Sequence, residues 1–337
     1  MLFRSACSSK STPPKEAIQQ AFTASMEMKS YSFTGSIGID ELELPEELLA
    51  GADPSMIDMI KNASLNVKGA YREDPMQMEM NLDLTIPGDM AMTINVPIVM
   101  TEEKLYVKIP NIPMLPLGEA AGKFVEIDPK QLAEEQGVEA PVLDLNTQRQ
   151  MAEELTGIAL KHFDGKTYFA ELKKEDVTDL PEGVDPDRIV KFFVTQETFE
   201  PMIMTIVDKV APEIIDALLA NEDYLKALQL TKEDLEKAKE ELAAGDRSEL
   251  KTELEKFKED VKVNDLSLTT AIQGDYPVYQ SANVNLDVTQ DGQTAKVGLS
   301  FKSQYANINE EVTFEHGIPE DAISIEELEQ MFMAPAL

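Results

Sequence analysis

Five methionines fall at alternate positions of one short stretch: Met76, Met78 and Met80, then Met90 and Met92 beyond a Pro87-Gly88-Asp89 turn. Leu82, Leu84, Ile86, Ile94 and Val96 keep the same parity, while Gln77, Glu79, Asn81, Asp83 and Thr85 occupy the positions between. Strict alternation over 76–86 predicts a strand with one dry face and one wet face, returning through the turn as a hairpin. Three chemistries suit a face so rich in thioethers. It can be ordinary core, because Met fills irregular gaps. It can be the wall of a cavity for a variable apolar ligand. It can offer Met76, Met78 and Met80 to Cu(I), a soft ion. The candidate ligand-lining set is Met76, Met78, Met80, Leu82, Leu84, Ile86, Met90, Met92, Ile94 and Val96. No metal or other cofactor is expected, since no His or Cys lies in this hairpin.

Other reactive residues are sparse. Cys7 is the single cysteine, so neither an internal disulfide nor a multi-cysteine zinc site can form. His162 near a helix C-terminus and His316 before Gly317 read as surface residues. No Gly-x-Ser-x-Gly elbow and no phosphate-binding glycine loop occurs. With 63 acidic residues, any chosen carboxylate pair is uninformative. Asp287 and Asp291-Gly292 lack the spacing of a calcium loop and read as a hairpin turn. The expectation is a protein that is not an enzyme.

The 30 basic residues against 63 acidic give a formal net charge of -33 over 337 residues. A field of that sign repels nucleic acid and anionic lipid headgroups. Apolar residues reach 43% with no Trp, so a large core must come from Leu, Ile, Val and Met.

The elements that must position the methionine face follow from periodicity. An amphipathic helix is predicted over 14–29, with Ala17, Ile18, Ala21 and Phe22 on one side. Alternating strands are predicted over 31–44, 65–71, 76–86 and 90–96, then around Leu105 and Phe124. The segment 129–262 reads as mainly helical, with a capping box at Thr147 and Gln150, a short strand over 166–172 and helices from 187 to 220. The charged run 231–260 reads as a solvated helical face, and an interaction module docking a partner through it is the alternative function. Strands return around Leu266, Val284–Val288 and Val297–Phe301, with Ile308, Val312 and Phe314 closing the series before a final helix over 324–332. The fold class is therefore α+β: a large curved antiparallel sheet, an incomplete β-barrel, with helices packed on its concave face. Residues 1–13 form a tether and 14–337 one domain with a helical middle over about 187–262.

At the N-terminus, Ser5-Ala6-Cys7-Ser8-Ser9 followed by Lys-Ser-Thr-Pro-Pro resembles the processing site and tether of bacterial lipoproteins, with Cys7 as the acylated residue. The resemblance implies a protein outside the cytoplasm, held on the outer face of the bacterial cell membrane by its lipid alone. The tether leads into a helix and then "SYSFTGSIGI"; later come the strands Lys-Leu-Tyr-Val-Lys-Ile-Pro at 104–110 and Gly-Lys-Phe-Val-Glu-Ile-Asp at 122–128. With the paired strands and Ile-Pro near the end, this order resembles the LolA/LppX-type lipoprotein carriers and their Gram-positive relatives. The resemblance implies an incomplete barrel whose cavity holds acyl chains. The expected partner is thus a lipid or other apolar ligand.

Overall fold

The computed structural model describes residues 12–45, 49, 53–87, 91–112, 117–136, 145–245, 247–290 and 292–333. Helix α1 (Pro14–Met26) starts on prolines, whose missing N–H is no loss in a first turn, and buries Ala17, Ile18 and Ala21. The sheet-forming half follows: β1 (Ser30–Glu43), α2 (Pro54–Asn62), β2 (Ser64–Arg72), β3 (Gln77–Ile86), β4 (Met92–Thr101), β5 (Leu105–Lys108) and β6 (Phe124–Ile127). Then come α3 (Pro129–Gln136), α4 (Leu145–Lys161), β7 (Phe169–Leu172) and β8 (Arg188–Phe193). A helical run comprises α5 (Gln196–Thr205), one π-helical turn (Ile206–Val210), α6 (Ala211–Ala220), α7 (Glu222–Leu228), α8 (Lys232–Ala244) and α9 (Arg247–Asp260). Three long strands, β9 (Val261–Gln273), β10 (Tyr276–Gln290) and β11 (Gln293–Ala306), and helix α10 (Ile325–Met333) complete the chain.

All eleven strands join one antiparallel sheet in the order β6-β5-β4-β3-β2-β1-β11-β10-β9-β8-β7. The two meanders meet where β1 pairs with β11, from Ser32 opposite Ala306 to Glu43 opposite Lys296, with an irregularity between Ile39 and Glu41. The sheet is curved and open, with β6 and β7 as its edges. The α+β class and incomplete barrel expected from the pattern are thus present.

The sheet's apolar face carries Ile18 and Ala21 of α1 together with Phe163, Tyr168, Phe169 and Val190 in one buried cluster. Helix α1 lies against β7, β8 and β10, while α5 and α9 lie against β9. A second cluster joins the helices to each other through Ile215, Leu218, Tyr224 and Leu235. On the opposite face the loop after β7 packs Leu180 and Val184 onto Ile189, Ala271 and Tyr279.

Four local expectations are corrected. Residues 188–193, read as the start of a helix, form β8, which pairs with both β7 and β9. The run Arg-Ile-Val-Lys-Phe-Phe is apolar on both faces, so its period is ambiguous, and its β-branched and aromatic residues suit a strand buried on two sides. The helical middle therefore begins at Gln196. Thr147 lies inside α4 rather than at its cap. Ile308, Val312 and Phe314 fall beyond β11, because Asn307 and Asn309 turn left-handed (φ 53 and 60) and end the strand. The 166–172 strand is confined to Phe169–Leu172. Thr231 does cap α8, accepting the N–H of Asp234.

Candidate functional site

The β3–β4 ladder sets Met78 opposite Met100, Met80 opposite Ile98, Leu82 opposite Val96, Leu84 opposite Ile94 and Ile86 opposite Met92. Directly paired residues share a face, so this part of the methionine and leucine set forms one surface. Two members stand apart. Met76 lies in the turn before β3, outside the ladder, which removes the first thioether from the proposed Cu(I) set. Met90 and Cys7 fall outside the described residues.

The same register extends the surface across three more strands that periodicity alone could not join to it. Leu65 of β2 faces Leu84, and Val67 faces Leu82. Ile37 of β1 lies opposite Leu65 and Phe301, and Ile39 opposite Leu299. The apolar face thus runs without interruption from β4 through β3, β2 and β1 to β11.

This face is not buried. Ile37 is 48% exposed, Leu84 37%, Leu299 41% and Phe301 43%. Met78, Met80, Leu82, Met92, Ile94 and Val96 are half-buried. Helices α1, α5 and α9 lie over β7 to β10, and α2 packs against β1 and β3, yet Ile37, Leu84, Leu299 and Phe301 of the central strands remain more than a third exposed. The opposite, polar face is the closed one here, which inverts the dry and wet assignment made from the alternation. Gln77, Glu79 and Asn81 are buried, and Glu79 is only 3% exposed. The reason is a strap, residues 307–324, that crosses this face. The Glu79 carboxylate accepts the backbone N–H groups of Glu315, His316 and Gly317. Gly317 at φ 67 supplies the left-handed turn that aims them together. Ile323 then pairs alongside Val125.

Glu79, Glu315 and His316 bring possible ligand atoms within 4.8 Å of one another. Both carboxylates are already engaged: Glu79 holds the strap's amides, and Glu315 accepts Asn81 and pairs with Lys68 at 3.3 Å. The trio is a latch for the strap. His316, expected at the surface, is half-buried with its ring edge-on to Phe124 at 5.6 Å. His162 is likewise drawn inward, 2.5 Å from Glu213 on α6, which also pairs with Lys161. Hydrogen bonds from Lys161 first, and then from His162, hold the Glu213 carboxyl below its ordinary range.

A hollow of about 380 Å³ lies on the polar face over β1, β2 and β11, bordered by Lys68, Asp83, Asp179 and Lys302. Lys302 pairs with Asp179 at 3.2 Å, as Lys68 does with Glu315, so the charges are answered within the protein. Burial would raise the Asp179 carboxyl, but bonds from Tyr279, Ser281 and Lys302 together outweigh it and hold it below the usual range. No helix among the described residues is long and apolar enough to cross a membrane.

Neither a family model nor a curated protein matches this chain.

Proposed function

We propose that this protein is a non-enzymatic carrier that holds an apolar ligand of the acyl-chain class against the open face of β11-β1-β2-β3-β4. One observation carries the reading: a continuous aliphatic and thioether surface across five strands keeps Ile37, Leu84, Leu299 and Phe301 more than a third exposed. Monomeric proteins seldom leave large contiguous apolar patches in water unless something binds there. Methionine-rich surfaces also adapt to ligands of variable shape. A lipid on Cys7 would hold the carrier at the outer face of a bacterial membrane, in keeping with the sequence likeness to the carrier lipoproteins.

The test is native mass spectrometry with lipid extraction on residues 8–337, beside the double variant Met78→Asp, Leu82→Asp. Both positions are half-buried, so a carboxylate there reaches water and the variant folds. The wild type is expected to carry or take up about one amphiphile per chain and the folded variant none. A folded variant that binds as the wild type does, or a wild type that takes up no lipid, refutes the reading.

A further inference from the structure

The open face has a polar end. At its Ser30 end the aliphatic stripe gives way to an aromatic group: the Tyr31 ring lies 5.2 Å from Tyr71, 5.4 Å from Tyr305 and 6.0 Å from Phe33. Tyr31 and Tyr71 face each other in the β1–β2 ladder with the same parity as Ile37 and Leu65, so they continue the stripe. Arg149 reaches down from α4 onto this group, donating from Nη2 to the Tyr71 hydroxyl at 3.2 Å and from Nη1 to Glu73 at 2.6 Å. Guanidinium carries five N–H donors, and these two bonds leave others available. The Tyr31 hydroxyl has no hydrogen-bond partner among the described residues. Burial, then its tyrosine neighbours, push its pKa to about 12, so it remains a donor at any physiological pH.

Arg149 and Glu73 also border a hollow of about 600 Å³, together with Lys29, Gln150, Glu153 and Tyr276. Glu153 has no ion-pair partner among the described residues. Cationic and anionic groups thus stand side by side where the apolar stripe ends. A head bearing only negative charge would meet Glu73, Glu153 and the field of a molecule of net charge -33. A head bearing only positive charge would meet Arg149 and Lys29. A head with both charges satisfies both sets.

Resting on the carrier reading above, we propose that the ligand is a zwitterionic amphiphile, bound with its phosphate on Arg149 and the Tyr31 hydroxyl and its ammonium toward Glu73 and Glu153. Its chains lie along Phe33, Ile37 and Ile39. From Phe33 to Ile39 the strand advances about 20 Å at ~3.3 Å per residue. That exceeds the ~15 Å hydrocarbon depth of one leaflet, half of a ~30 Å core, so the stripe is long enough for the chains of one lipid.

The experiment is calorimetric titration of the protein with three monomeric lipids of one chain length: lysophosphatidylethanolamine, lysophosphatidic acid and monoacylglycerol. The wild type is expected to bind the zwitterion at least tenfold tighter than either other head. Arg149→Gln removes the margin over monoacylglycerol, and Glu153→Gln narrows the margin over lysophosphatidic acid, while both variants bind monoacylglycerol as the wild type does. Equal affinity for all three heads overturns the headgroup assignment and leaves the carrier reading standing. Failure of all three to bind overturns both. Should Arg149→Gln fail to fold, the wild-type series and Glu153→Gln decide alone.

Discussion

At the scale of single residues, the open face depends on positions that carry no side chain. Gly69 of β2 lies under the Phe33 ring, and a Cβ built there would sit 2.6 Å from that ring and 2.1 Å from the Glu79 carbonyl oxygen. The backbone cannot retreat, since Gly69 is laddered to both neighbours. Gly69→Ala is therefore expected to cost ~1–3 kcal/mol through overpacking. Urea unfolding should show a lower midpoint with an unchanged slope, whereas an unshifted midpoint would mean that Phe33 yields freely. Alternation announced the parity of this position but not its crowding. The close approach involves β1, β2 and β3 together, and only the assembled ladder reveals it.

At the scale of elements, two segments outside the ladder decide which face of the sheet is wet. One is the strap latched by Glu79. The other is the loop after β7, whose Asp179 holds Tyr279, Ser281 and Lys302 of β10 and β11. A carboxyl with depressed folded pKa contributes stability that is present above its unfolded value of about 3.9 and is lost as pH falls through the folded value. As pH falls below about 3.9 and through the folded value the wild type should lose this increment, and Asp179→Asn should lack it throughout. Thermal melts of the two proteins are expected to differ most near neutrality and to converge in acid. A constant difference would assign the loop's hold to packing by Leu180 and Val184 instead. The sequence marked Ile308, Val312 and Phe314 as the close of the strand series. Two left-handed asparagines send that segment over the polar face, and their conformation was not readable in advance.

For the whole molecule, charge dominates. A net -33 makes the folded chain repel itself, more so at low salt, and its ion pairs are mostly exposed ones worth little each. Raising ionic strength from ~0.01 M to ~0.15 M shortens the screening length from ~30 Å to ~8 Å. The melting temperature should rise by a few degrees, given that ~1 kcal/mol corresponds to ~2–4 °C in domains of ~150–250 residues. A fall instead would show that attractive pairs such as Arg149 with Glu73 outweigh the repulsion.

The sequence by itself determined the acidic field, the class of the fold, the pairing of 76–86 with the strand that follows it and the composition of one apolar face. Each is encoded locally, in a count or in a period of two. The tertiary structure alone decided that residues 188–193 are a strand, that the apolar face spans five strands, and that its polar counterpart is the covered one. It also brought Arg149 to Tyr71 from 78 positions along the chain. These outcomes depend on which surfaces meet. Alternation specifies that a strand has two unlike faces, and only the segments that fold over it settle which of them is left to the solvent.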